Sequence, residues 1–188
     1  MLKGKKIAQI MRKANQLLVE KIDRAIWYVS NSYCIFVLYD KEYMLFKEKY
    51  NSYKSTINIP EGRTKYKIQN GEIYDDTPKW NLVIPEIEEK NELKNTKLKY
   101  NKSEIYKLKN KSNMVLLRQE YTQFLEESWN IYASKTNGEF YSSPVVVKDD
   151  EFIKMVIMPI ISNIGIKEEI EDNLGCKIIF NEKQGKTA

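Results

Sequence analysis

The sequence predicts an α+β fold in which a strand–helix–strand–hairpin unit occurs twice, as an antiparallel sheet with helices packed on one face. Three observations predict it. The segment Phe36–Glu48 aligns with Met114–Glu126 at a constant offset: Val37, Leu38, Glu42, Tyr43, Phe46 and Glu48 match Val115, Leu116, Glu120, Tyr121, Phe124 and Glu126. Both copies run on into a strand and then a hairpin, with turns at Asn70-Gly71 and Asp149-Asp150. Each copy carries a Tyr-x-x-Phe stripe, whose members lie on one helix face. A short helix cannot bury such a stripe alone, so two are expected side by side on one sheet layer.

The elements follow in order. Ile7, Ile10, Met11, Ala14, Leu17, Leu18, Ile22 and Ala25 recur at helical spacing, which predicts a helix over 5–25 with a basic outer face. Trp27–Ser30 and Tyr33–Tyr39 are rich in β-branched and aromatic residues around Ser30-Asn31-Ser32, which reads as two strands and a turn. Asp40 suits the N-cap of a helix over Lys41–Tyr50, with Tyr43, Phe46 and Tyr50 on one face. A strand is expected at Thr56–Ile59. Lys65–Ile68 and Glu72–Tyr74 flank Asn70-Gly71, a strong hairpin signal.

Trp80, Leu82, Val83 and Ile84 form a small apolar cluster. Beyond it, glutamates and then lysines dominate, and the stretch reads as a charged connector with one strand at Ile105–Leu108. Met114–Leu117 reads as a strand, Gln119–Glu127 as a helix and Trp129–Ala133 as a strand. Pro144–Val147 and Phe152–Met158 are expected to pair. A short helix near Lys167–Asn173, a strand at Lys177–Phe180 and a disordered end from Gln184 complete the chain. The organisation is then 1–84 (first helix and first repeat), 85–111 (connector) and 112–188 (second repeat and extension), in one compact domain.

Composition narrows the function. The 188 residues suffice for a proper core, and 42% of them are hydrophobic. There is no histidine, which excludes Ser-His-Asp and Cys-His nucleophile systems and histidine metal sites. Cys34 and Cys176 are far apart and form no C-x-x-C motif, so neither a disulfide scaffold nor a zinc module is expected. The apolar run Met155–Ile161 is too short to span a membrane. No signal peptide is evident, and a cytoplasmic protein without a membrane partner is expected.

The repeat resembles the domains of DNA sliding clamps, which have internal pseudo-symmetry, helices inside and sheets outside. Val115–Leu125 is similar to the strand that enters a helix in the bacterial clamp. Ser143–Ile160, with Met158-Pro159, is similar to its closing hairpin. The resemblance covers residues 112–160 and, more loosely, 26–75. A bacterial clamp subunit has three such domains, whereas this chain is about one to one and a half. It also runs beyond the Met-Pro segment where the family ends. The resemblance implies a clamp-like domain used for another purpose.

Three functions follow as expectations. The first is a non-enzymatic binding protein of phage or mobile-element type, acting on a protein partner in DNA replication or defence, with no cofactor and with homo-oligomerisation open. The second is a sequence-independent nucleic-acid-binding factor. It would use Lys94, Lys97, Lys99, Lys102, Lys107, Lys109 and Lys111, with Tyr100 and Tyr106 to stack on bases. Lys3, Lys5, Lys6, Arg12 and Lys13 would extend that surface, and the net charge of +5 is compatible with it. The third is a Mg²⁺ nuclease built on Asp75-Asp76 or Asp149-Asp150. Both pairs sit where turns are expected, and aspartate is a common turn residue.

Overall fold

The computed structural model describes residues 4–53, 57, 59, 61–75, 82–109, 114–134 and 143–160. Eleven strands form one antiparallel sheet in the order β5-β4-β1-β2-β3-β11-β10-β9-β6-β7-β8. The strands are β1 (Gln16–Asp23), β2 (Ile26–Ser30), β3 (Cys34–Tyr39), β4 (Lys65–Gln69), β5 (Glu72–Asp75) and β6 (Ile87–Tyr100). They continue with β7 (Ser103–Leu108), β8 (Met114–Arg118), β9 (Asn130–Ser134), β10 (Val145–Asp149) and β11 (Phe152–Ile157). The helices are α1 (Gly4–Met11), α2 (Asp40–Tyr53) and α3 (Gln119–Thr122). No described helix is long and apolar enough to cross a membrane.

The register shows how the core is built. Val19, Val29, Phe36, Met155 and Val147 are successive cross-strand partners on five neighbouring strands, and all five are fully buried. Alternation sends the next residue on each strand to the opposite face. That face carries a second row, Leu18, Ser30, Ile35, Val156, Val146 and Tyr132. The first face receives the helices: Ile7, Met11, Tyr43, Phe46, Tyr50, Tyr121 and Phe124 join its core. Phe36 meets Phe124 edge-on at 5.0 Å, so the second Tyr-x-x-Phe stripe reaches the layer that the sequence predicts.

The helix expected over 5–25 divides in two. It ends at Met11, a turn follows, and Gln16–Asp23 is the strand β1 between β2 and β4. Strand alternation explains the outcome better than the helical stripe does. Leu17 and Val19 are buried, whereas Ile22, which the stripe would bury, is 46% exposed. Pairing on both sides satisfies the backbone of β1 and outweighs its helical spacing.

The charged stretch 85–111 also departs from expectation. It holds β6 and β7, which link β9 to β8 within the sheet. Leu93, Tyr106 and Leu108 point into the core while charged residues alternate with them, so a half-buried strand pattern was hidden under a high lysine count. A register shift between Asn95 and Lys99 makes the pattern harder to see, because β6 advances four residues there while β7 advances two and the ladder is interrupted.

Smaller differences have local causes. The strand expected at 56–59 is absent at the two described positions, Ile57 and Ile59, which are buried outside any strand. Asn51 Oδ1 accepts the Ile59 backbone N–H at 3.2 Å, an alternative to ladder pairing. α3 is shorter than Gln119–Glu127. The Asn70-Gly71 hairpin forms as predicted, with φ of 51° and 87° at the two turn residues, as a type I′ turn requires. At the other end of the sheet, Ile160 N–H donates to Leu116 C=O at 2.9 Å, which occupies the far side of β8. The expectations for 167–188 lie outside the described residues.

Candidate functional site

The described lysines of the candidate surface lie on the β6–β7 hairpin, where they differ in exposure and in partners. Lys94 and Lys109 both pair with Glu92. The hydrogen bonds from Lys94 and Lys109 hold the Glu92 carboxyl below its ordinary value. Lys107 is half-buried and stands opposite Lys94 in the register. Tyr106 is buried; its hydroxyl donates to Glu104 Oε2 at 3.1 Å and accepts from Asn95 Nδ2 at 3.2 Å. Burial, with Glu104 adding to it, pushes this hydroxyl well above its usual range. Tyr100 packs beside Leu98 against Ile105 and Leu116. The Tyr106 ring is thus closed to a stacking base, whereas Tyr100 is half-buried. Lys111 and Lys3 lie outside the described residues.

Lys97, Lys99 and Lys102 remain. All three are exposed near the hairpin's tip, where Lys97 and Lys102 take left-handed backbone angles of 65° and 61°. None has a carboxylate partner among the described residues. The cations of α1 and the turn after it sit elsewhere: Lys6 lies over the Phe124 ring at 5.2 Å, and Arg12 over Tyr53 at 4.7 Å.

The Asp149-Asp150 pair serves local structure. Asp149 Oδ2 accepts from Lys154 Nζ at 3.2 Å, and Asp150 takes the turn with φ of 51°. Asp75 ends β5, and Asp76 lies outside the described residues.

Two clefts flank the β2–β3 turn, and the sequence offered little sign of either. One, of about 350 Å³, is apolar. It lies between the second face of the sheet (Leu18, Ile35, Val156) and residues 82–85, with Met158 and Pro144 at its margin. Leu82 N–H donates to Glu20 Oε2 at 3.3 Å, which fastens the 82–85 segment over the strands. Met158 N–H donates to Tyr33 C=O at 2.8 Å and positions the other wall. Val83 is 69% exposed and Met158 40%, so the rim itself is apolar and open to solvent.

The other cleft, of about 390 Å³, is polar and lies where the turn meets the end of α1 and the start of α3. Asn31 fixes its floor. Its Oδ1 accepts the N–H groups of Tyr33 and Cys34 at 3.1 and 3.0 Å, and its Nδ2 donates to the Tyr121 hydroxyl at 3.0 Å. Burial pushes the Tyr121 hydroxyl up to about 12, against the lowering effect of Asn31. The Arg118 guanidinium stacks on Tyr33 at 4.8 Å from the ring centroid.

One feature of the sequence bears on this cleft once the structure is known. Within the aligned repeat, Asp40 and Arg118 occupy equivalent positions with opposite charge. Asp40 is committed inside its own half, accepting from Trp27 Nε1 at 2.7 Å. Arg118 instead faces the turn of the other half. Comparison of the chain with protein-family models, curated proteins and solved structures found no match to any of them.

Proposed function

We propose that this chain is a non-enzymatic binding protein, of phage or mobile-element type, whose clamp-like domain engages a protein partner in DNA replication or defence. The apolar cleft under residues 82–85 carries the reading. It has the concave, mainly apolar lining that accepts a side chain or two from another protein, and its rim residues Val83 and Met158 are exposed. The net charge of +5 favours a partner segment with acidic flanks.

Chain topology supports the duplication behind the clamp-like description. The meander β1-β2-β3 leads into α2, and β4 returns beside β1; the meander β6-β7-β8 leads into α3, and β9 returns beside β6. The same path taken twice agrees with the aligned residues.

The test places a photo-crosslinking residue at Val83 in host cells. A discrete protein adduct that Met158→Glu removes, with the melting temperature unchanged, is the expected result. A homogeneous preparation that turns over nucleotides or nucleic acid overturns the reading.

The three unpaired cations at the hairpin tip favour a second, sequence-independent nucleic-acid reading. There, changing Lys97, Lys99 and Lys102 to Gln reduces the salt slope of DNA or RNA binding by about 3. An unchanged slope removes it.

A further inference from the structure

We propose that the polar cleft beside the β2–β3 turn binds a phosphorylated small molecule of mononucleotide size. This is a site separate from the apolar cleft, and it stands whether or not a protein docks there.

Two cations from distant parts of the chain converge on the cleft: Lys13, in the turn after α1, and Arg118, at the end of β8. Lys13 has no ion-pair partner among the described residues. Asn15 and Gln69 line the same space with side-chain amides that have no hydrogen-bond partner among the described residues. Arg118 has one opposing carboxylate, Glu120, at 3.6 Å, too long for a strong charge-assisted hydrogen bond. Its planar fork is held against Tyr33 and keeps its donors, which is the arrangement suited to bidentate contact with a phosphoryl group.

The chemistry fits a dianion better than a single carboxylate, because a point charge, a guanidinium fork and neutral amide donors face one space and outweigh the one carboxylate there, Glu120. The volume of about 390 Å³ exceeds what a phosphate group fills. The remainder is bordered by Ile10, Ala14 and the ring of Tyr33, which is 52% exposed. These supply an apolar wall for an organic body, beside the ring on which Arg118 stacks. The floor is preformed, since every polar atom of the Asn31 amide but one N–H is already engaged.

Isothermal titration of the full chain with adenosine monophosphate, inorganic phosphate and adenosine tests the assignment. Saturable binding of the nucleotide is expected, tighter than that of phosphate or adenosine alone. Arg118→Gln and Lys13→Gln should each weaken it by about tenfold, the effect of one charged hydrogen bond. Lys41→Gln removes the same charge from the exposed start of α2 and should leave it unchanged. Arg118 is half-exposed, so its replacement should not unfold the chain, which a melting curve confirms. No saturation at millimolar nucleotide, or equal weakening in Lys41→Gln, overturns the proposal.

Discussion

The segments Cys34–Tyr53 and Met114–Phe124 begin alike and end differently. Each is a strand followed by a helix and carries a Tyr and a Phe three residues apart, although Phe124 lies just beyond the end of α3, and all four aromatic side chains are buried. In the first, α2 continues for 14 residues and adds Tyr50 to a layer in which Trp27 stacks on Tyr43 at 3.7 Å. In the second, α3 stops at Thr122 after four residues, and the chain turns back toward β9 with Trp129 buried in the return. The difference teaches that the stripe specifies attachment to the sheet, while helix length depends on what lies alongside. α2 has α1 to pack against, and helices of this length gain most of their stability from packing rather than propensity.

The largest expected effect breaks this comparison directly. Phe46→Ala should cost about 3–5 kcal/mol, because a fully buried ring between two helices leaves a cavity that cannot collapse. Phe124→Ala, 7% exposed beside a short helix, should cost less. Chemical denaturation of both variants checks the order, and equal losses would mean the two units are energetically equivalent.

Gly4→Ala sharpens the role of α1. Helix propensity alone predicts stabilisation by about 1 kcal/mol. However, an added Cβ would meet the Glu42 carbonyl oxygen at 2.4 Å and the Phe46 nitrogen at 3.0 Å, both backbone atoms of α2. Overpacking should therefore win, with a loss of about 1–3 kcal/mol. The sign of the change decides the matter.

The two hairpins offer a smaller contrast. Gly71→Ala should cost about 1 kcal/mol, since φ is 87° there. Asp150→Gly should be neutral or slightly stabilising, because aspartate already bears the strain of φ 51°. Thermal melting of the pair measures both.

Alkaline pH gives a further check. Burial pushes the Tyr50 hydroxyl from 10.0 up to about 12. The folded chain therefore keeps a proton that the unfolded chain has lost, so stability falls as pH rises from 10 toward 12. Tyr50→Phe should flatten that fall, as measured by denaturation at each pH.

Much of the sheet was legible because its strands alternate cleanly and their turns use Asn-Gly and Ser-Asn-Ser. Two elements were not. Gln16–Asp23 carries apolar residues that suit either period, and only pairing with β2 and β4 decides between them. Ile87–Tyr100 places few apolar residues among many lysines, and its bulge interrupts even those. The clefts were less legible still. They join residues from three or four distant segments, and only the charge reversal between Asp40 and Arg118 left a trace in the aligned repeat.

The most direct test sets the two candidate surfaces against each other in one experiment. Photo-crosslinking residues are placed at Val83, on the apolar rim, and at Lys99, near the hairpin tip, in otherwise identical chains. The account predicts a discrete protein adduct from position 83 that Met158→Glu abolishes, and no comparable adduct from position 99. A nucleic-acid adduct from position 99 with nothing captured at position 83 would contradict it.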